Sequence, residues 1–334
     1  MNVIKFIMKT VSDIGERDLI KLASSIYKKY NDSVDLNDDC AIIPMGDNYF
    51  LASSDMISEK THIPRKMSPW QIGWFIIAIN LSDIAAKGGI PLGVLLSVGL
   101  PRTYPESSFI ELLNGASSCA TAFNTTIIGG DTKEHETVVL TGTAMGKIKK
   151  NLFMSRKGAK TDDVVAVTGS LGKAAAGFYT LEHEQRTETV NRLSEPTPRV
   201  FEGMALAETT KVHCCMDISD GLSSSLYQLS ELNRVGFEIK QNLLPISPEL
   251  ESYSERDSNS DILQLALHFG GDYELLLTTS KEDIPILRKS LKQFDTNLSV
   301  IGKVTKEQKI QLITDQKKIH LPNQGYEHFT IKKS

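Results

Sequence analysis

The sequence predicts an α/β fold of two units, and three observations carry that expectation. Its 334 residues exceed the roughly 250–300 at which single cores stop growing. Short apolar runs of strand length alternate with longer helical segments along the chain. Between them, positions 149–163 gather charge and turn signals (Arg156-Lys157-Gly158-Ala159-Lys160) as a linker does. The expected division is 1–150 and 151–334.

Composition narrows the function classes. A hydrophobic content of 40% supplies ordinary packed cores, and a net charge of −4 argues against a nucleic-acid protein, which would carry a basic face. Cys40, Cys119, Cys214 and Cys215 form no C-x-x-C pair and read as buried thiols of a reducing compartment. Residues 1–9 hold no apolar stretch long enough for a signal peptide, and no run reaches the length of a membrane span. The expectation is a cytoplasmic protein with neither nucleic acid nor membrane as partner.

The first unit opens with an amphipathic helix from Glu16 to Tyr30, then Asp38-Asp39 before the short strand Cys40–Pro44. Neighbouring like charges repel, so this pair either lies in water at a turn or faces a cation. A strand over Tyr49–Ser53 runs into Ser53-Ser54-Asp55, a compact group of hard oxygens that suits Mg²⁺. The segment from Ser68 is apolar on nearly every face, which marks a buried helix. Asn80, Asp83 and Lys87 form its one polar stripe, and Gly88-Gly89 with Pro91 ends it. A buried carboxylate needs a partner: Asp83 either pairs with Lys87 one turn on or binds a cation. Leu92–Leu100 reads as a strand, Glu106 to Phe123 as a helix, and Thr125–Ile128 as a strand stopping at Gly129-Gly130-Asp131-Thr132. Val138–Ile148 closes the unit as a strand.

The second unit starts with the strand Asp163–Thr168 and Gly169-Ser170-Leu171-Gly172-Lys173. This falls short of a Walker loop, because Val167 stands at the first glycine and Ala174 follows the lysine. It reads as a tight turn into a helix over Ala174–Leu181. Val212–Met216 reads as a strand delivering Asp217-Ile218-Ser219-Asp220-Gly221, where one polar group could cap the next helix. Glu249–Asp261 reads as a polar, flexible stretch, followed by a helix to His268, Gly270-Gly271-Asp272-Tyr273-Glu274 and a final Gly325-Tyr326.

Asp38, Asp39, Asp55, Asp83, Asp131, Asp217 and Asp220 thus recur at strand ends or on the buried helix. So many acids without a basic cluster imply divalent cations, and such cations bind polyphosphate oxygens. The physical expectation is several Mg²⁺ ions holding a nucleotide without a Walker loop; it leaves the acceptor open.

Six ordered motifs resemble one family: Asn37-Asp38-Asp39-Cys40-Ala41, Ser54-Asp55-Met56, Asn80 to Ala86, Gly129 to Thr132, Asp217 to Leu222 and Asp272 to Leu275. The chain is similar to the thiamine-monophosphate kinases, of the superfamily that includes aminoimidazole ribonucleotide synthetase, selenophosphate synthetase and the hydrogenase-maturation protein HypE. The resemblance implies the two-domain synthetase-like fold and a homodimer paired through its N-terminal domains. It implies Mg²⁺-dependent transfer of the ATP γ-phosphoryl group to thiamine monophosphate, giving thiamine diphosphate and ADP. By resemblance Asp38, Ser53, Ser54, Asp55, Asp83, Asp131, Asp217 and Asp220 hold Mg²⁺. Gly130, Asp131, Arg156 and Ser219 contact ATP, and Asp83, Asp131, Asp217 and Arg156 serve catalysis. His62, Asp272 and Tyr326 touch the acceptor. Two departures stand out: Asp35-Leu36-Asn37 replaces Gly-Ile-Gly, and Gly271 stands where the family carries a substrate-contacting Glu. The alternatives are a kinase of another small phosphorylated acceptor, or a nucleotide-binding relative without turnover.

Overall fold

In the computed structural model the described residues are 9–31, 36–183, 191, 193–257 and 260–329. Asp35, part of the first departure, lies outside them. The first half contains α1 (Glu16–Lys28), β1 (Ala41–Met45), β2 (Asn48–Ser58), α2 (Pro69–Ala86), β3 (Ile90–Leu100), α3 (Glu106–Ala122), β4 (Ile127–Glu134) and β5 (Val139–Lys149). The second contains β6 (Val164–Thr168), α4 (Lys173–His183), α5 (Val200–Glu208), β7 (Cys214–Asp217), α6 (Leu222–Asn233), β8 (Gly236–Lys240), α7 (Pro248–Arg256) and α8 (Ile262–His268). It ends with β9 (Leu275–Thr279), α9 (Ile284–Leu291), β10 (Leu298–Thr305), β11 (Ile310–Ile313) and β12 (Lys318–His320). A five-stranded sheet runs β1-β2-β5-β3-β4 and a seven-stranded one β12-β11-β8-β10-β6-β9-β7. Both are mixed: β3–β4 and β8–β11 pair in parallel, the other neighbours antiparallel.

Helix α2 organises the molecule. Ser68 starts it with a capping box: its hydroxyl accepts from the Gln71 N–H at 3.2 Å, and its own N–H donates to Gln71 Oε1 at 3.0 Å. Pro69 at the first position fits, since no helical partner is required of its nitrogen. Gly88, at φ +70°, stops the helix while the Gly88 and Gly89 N–H groups bond back to Ala85 and Ile84. Apolar residues surround the axis because every side has a neighbour. The helix packs on β2, β3 and β5, on α3, and on α5 and β7 of the second half. Glycines set these distances: a Cβ on Gly73 would lie 1.9 Å from the Leu112 carbonyl oxygen, and one on Gly115 1.8 Å from that of Trp70. The resulting core is shared, joining Ile76, Leu81 and Ile84 to Val200, Leu206, Cys215 and Leu277.

Two elements differ from the sequence expectation. Strand β4 continues through Gly129-Gly130-Asp131-Thr132 to Glu134, because this segment pairs with β3 along Leu95–Leu100. A Cβ on Gly130 would stand 1.8 Å from the Leu96 carbonyl oxygen, so the glycine permits the pairing. The polar stretch after Pro248 is helical over α7, since the Ser247 hydroxyl accepts from the Leu250 N–H and Pro248 takes the first position. Residues 258–259 of that stretch lie outside the described set.

Candidate active site

The site forms where four segments meet: the 37–40 bend, the inner face of β2, the last turns of α2 and the end of β7. Strand alternation decides which β2 side chains enter. Ser53 and Asp55 face α2. The Ser53 hydroxyl donates to Asp83, and the Asp55 N–H donates to Asn80 Oδ1 at 3.0 Å. Asn80 is itself fixed by donating to the Ile76 carbonyl at 2.8 Å. From β7, Asp217 accepts from the Ser82 hydroxyl at 2.7 Å. One oxygen from each of Asp39, Asp83 and Asp217 then falls within 4.8 Å of the others.

These acids are held at an electrostatic cost. Burial, with the charges of Asp55, Asp217 and Asp39, pushes the Asp83 carboxyl well above the usual carboxylate range. Burial and the nearby Asp39 push Asp217 up to about 7. Burial also raises Asp55, and raises Asp220 to about 6. Asp39 is the exception: burial alone would raise it, but Arg156 and Lys87 outweigh burial and hold it low. Lys87 is fully buried, with its ammonium 2.5 Å from Asp38 Oδ1, 2.6 Å from Asp39 Oδ2 and 3.0 Å from the Cys215 carbonyl oxygen. Arg156 grips Asp39 Oδ1 through Nε, at 2.7 Å, and Nη2, and donates from Nη1 to Gln228 at 3.1 Å. Oxygen-only ligands in a mutually repelling set are the donor chemistry that Mg²⁺ takes, so the residues present fit that ion.

The structure changes several expected roles. Lys87 does not pair with Asp83; it turns to the 38–39 bend, leaving Asp83 to Ser53 and its acidic neighbours. Asp38 was expected among the metal ligands, but Asp39 occupies the place beside Asp83 and Asp217. Asp38 accepts instead from Lys87, the Ser155 hydroxyl (3.1 Å) and the Arg156 N–H (3.2 Å). Ser54 lies on the opposite sheet face from Ser53, donating to Gly142 O at 3.1 Å and sharing a 2.9 Å contact with Thr143 Oγ1. Gly130 and Asp131 are in β4, three strands from Asp55 along the register Asp55–Gly142–Leu96–Gly130. At ~4.8 Å per strand that is about 14 Å. Asp131 aligns through Ser97 and Thr141 with Met56 on the outer face, 3.7 Å from Lys133.

Asp220 and Ser219 follow β7, and Tyr326 joins them by donating its N–H to the Asp220 carbonyl at 3.1 Å. Tyr326 stands in a ring cluster with His62 and His328: centroids lie 4.9 Å apart for Tyr326–His328 and His62–His328, and 6.4 Å for His62–Tyr326. Burial and His328 lower His62 to about 4, so its imidazole is neutral at pH 7. A cleft of 820 Å³ opens beside it, bordered by Arg156, Asp220, Tyr326 and by Glu16 and Arg17 of α1. Asp272, expected at the acceptor, is spent on the fold: its oxygens accept the N–H groups of Gly172 (2.6 Å) and Ala174 (3.1 Å) at the start of α4. Lys173 points to Glu274 at 3.0 Å, consistent with a turn there. Sequence reasoning counted Asp39 among the acids but gave the ligand role to Asp38, and it missed His328 beside His62. A lysine on an otherwise apolar helix was the available signal for the first; a His two residues after Tyr326 was too weak for the second.

The chain resembles known proteins over most of its length. Residues 37–148 match the family described as AIR synthase related protein, N-terminal domain, and 160–315 its C-terminal domain. A thiamine-monophosphate kinase of Methanospirillum hungatei is 34% identical over 315 residues, covering 94% of this chain and 99% of that protein. One from Buchnera aphidicola subsp. Acyrthosiphon pisum is 35% identical, covering 91% and 97%. A solved structure described as AaThiL complexed with AMPPCP and TMP superposes with a TM-score of 0.84 at 29% identity, covering 97% of this chain and all of that one. Escherichia coli HypE, at 18% identity and a TM-score of 0.70, shares the fold. With these matches the fold and the motifs converge: the chain belongs to the thiamine-monophosphate kinase family.

Proposed function

We propose that this chain transfers the γ-phosphoryl group of ATP to thiamine monophosphate in a Mg²⁺-dependent reaction, giving thiamine diphosphate and ADP. The observation that carries the reading is the buried Asp39–Asp83–Asp217 group, whose oxygens lie within 4.8 Å of one another with Arg156 at its edge. The likeness to a structure that binds AMPPCP and TMP supports the substrates. Asp39, Asp83 and Asp217, with Ser53, Asp55 and Asp220 adjoining, would hold Mg²⁺, which would neutralise polyphosphate charge. The acceptor phosphate is already an oxygen nucleophile, so the chain needs no covalent intermediate and serves by alignment. Lys87 keeps Asp39 oriented and ionised. Arg156 supplies a fixed positive charge beside the transferring group. The neutral imidazole of His62 and the phenol ring of Tyr326 suit a cationic thiazolium, as aromatic faces attract cations.

Two further parts belong to this reading. The division 1–150 and 151–334 places metal ligands in both parts, with Asp39, Asp55 and Asp83 before the boundary and Asp217 and Asp220 after it. The active unit is a homodimer, supported by the outer face of the first sheet, where Ile43, Met45, Met56, Leu95 and Ile128 are exposed. Ser54 and Asp131 share that face, so pairing of two sheets would bring one copy's Asp131 towards the outer face of the other.

The test is ³¹P NMR of purified protein with Mg²⁺, ATP and thiamine monophosphate. Thiamine diphosphate and ADP should appear, and should be absent without Mg²⁺. ATP consumed only with a different phosphorylated acceptor would shift the acceptor, and no turnover by a folded, ATP-binding chain would leave a non-catalytic relative.

A further inference from the structure

Tyr273 occupies a backbone state that a tyrosine rarely adopts. Its φ is +51°, in the left-handed region, a strained state that persists only where the surroundings impose it. Those surroundings are two buried carboxylates, one on each side. Asp272 is bound by the Gly172 and Ala174 N–H groups. Glu274 is gripped by Arg199 through Nε and Nη2, both at 2.7 Å, and bonded by Lys173 at 3.0 Å and the Thr168 hydroxyl at 2.9 Å. The Tyr273 N–H donates to the Ile218 carbonyl at 3.0 Å, fixing it to the loop that carries Asp217 and Asp220. Its ring meets Phe75 of α2 edge-on at 6.2 Å.

All this fixes the backbone and the ring, yet the hydroxyl makes no hydrogen bond to a described residue, and it is not among their sealed, unsatisfied atoms. It stands within electrostatic reach of Asp55, Asp217, Asp220 and Asp83. Burial, then those carboxylates, pushes the phenol well above its ordinary value, so it remains a donor at neutral pH. The 218–220 loop that holds Tyr273 at Ile218 also holds Tyr326 at Asp220. Tyr273 and Tyr326 are therefore anchored on one short segment, the one that follows Asp217 and carries Asp220.

We infer that Tyr273 is a substrate-binding residue whose hydroxyl donates a hydrogen bond to a non-bridging oxygen of the acceptor phosphate. This rests on the acceptor named above. It makes the Asp-Tyr-Glu run a clamp in which two buried acids aim one phenol.

The test is Tyr273→Phe, which keeps the ring against Phe75 and removes one oxygen. Calorimetric titrations of thiamine monophosphate and of unphosphorylated thiamine, each with Mg²⁺ and AMPPCP present, are compared with wild type. Loss of a hydrogen bond to a charged group should weaken thiamine monophosphate about ten- to a hundredfold and leave thiamine binding unchanged. Equal weakening of both ligands, or of neither, would overturn the role of Tyr273. A wild-type protein that bound thiamine monophosphate no better than thiamine would overturn the acceptor assignment and this role together, whereas a wild-type preference without a Tyr273→Phe effect sinks only the latter.

Discussion

Asp83 and Asp217 repel each other at close range, and that repulsion makes their substitutions separable from ordinary damage. Asp83→Asn should reduce turnover at least a hundredfold and abolish the rise in melting temperature on adding Mg²⁺, while the metal-free protein melts no lower than wild type. A folded variant with near-normal rate would remove Asp83 from the site. Asp217 adds a pH signature. Its carboxyl moves from 3.8 to about 7 on folding, so the folded chain holds a proton the unfolded chain has released. The associated stability is complete below about pH 4 and disappears as pH rises through about 7. Without metal, Asp217→Asn should therefore gain melting temperature over wild type as pH rises from about 4 to 7; a difference constant across that window would contradict the shift. At this scale the sequence showed Asp83, Asp55 and Asp217 clearly, because each follows an apolar run. It could not separate Asp38 from Asp39, since on a bend the side-chain direction depends on Lys87 and Arg156, remote in sequence. Ser54 was in principle legible, because alternation in β2 sends it away from Ser53.

Elements position those residues by close backbone approach, most tightly where α2 crosses α3. Gly73→Ala would place a methyl 1.9 Å from the Leu112 carbonyl oxygen, forcing the helices apart. The gain of about 1 kcal/mol in helix propensity does not offset an overpacking cost of about 1–3 kcal/mol or more. Denaturant titration should show a net loss of stability, and the displaced α2 should lower kcat as well; an unchanged midpoint would mean the crossing is looser than described. Helix α2 was readable from an apolar surface broken only by one polar stripe, which only a helix enclosed on nearly all sides tolerates. The glycines of β4 misled because Gly-Gly marks a turn by local rules, whereas here it admits the β3 backbone. Helix α7 was missed through its polar composition, although Ser247-Pro248 carried a start signal.

For the whole molecule, the proposed homodimer, paired through the exposed outer face of the first sheet, predicts that assembly and activity fall together. Met56→Glu places a charge in the middle of that face, beside the row of Asp131. Light scattering should then report a monomer, with turnover reduced at least tenfold. A fully active monomer would show that the site is complete in one copy. The sequence pointed to two α/β units through strands alternating with helices, but it gave no sign that the halves share a core, because the contacts of α2 with α5 and β7 link positions more than a hundred residues apart. That sharing governs how the protein fails. Cutting the chain at its linker would strip the second-half cover from α2 and leave its apolar far side in water, so neither fragment should persist alone. Heating the intact chain should give one calorimetric transition, with catalytic loss tracking it rather than preceding it.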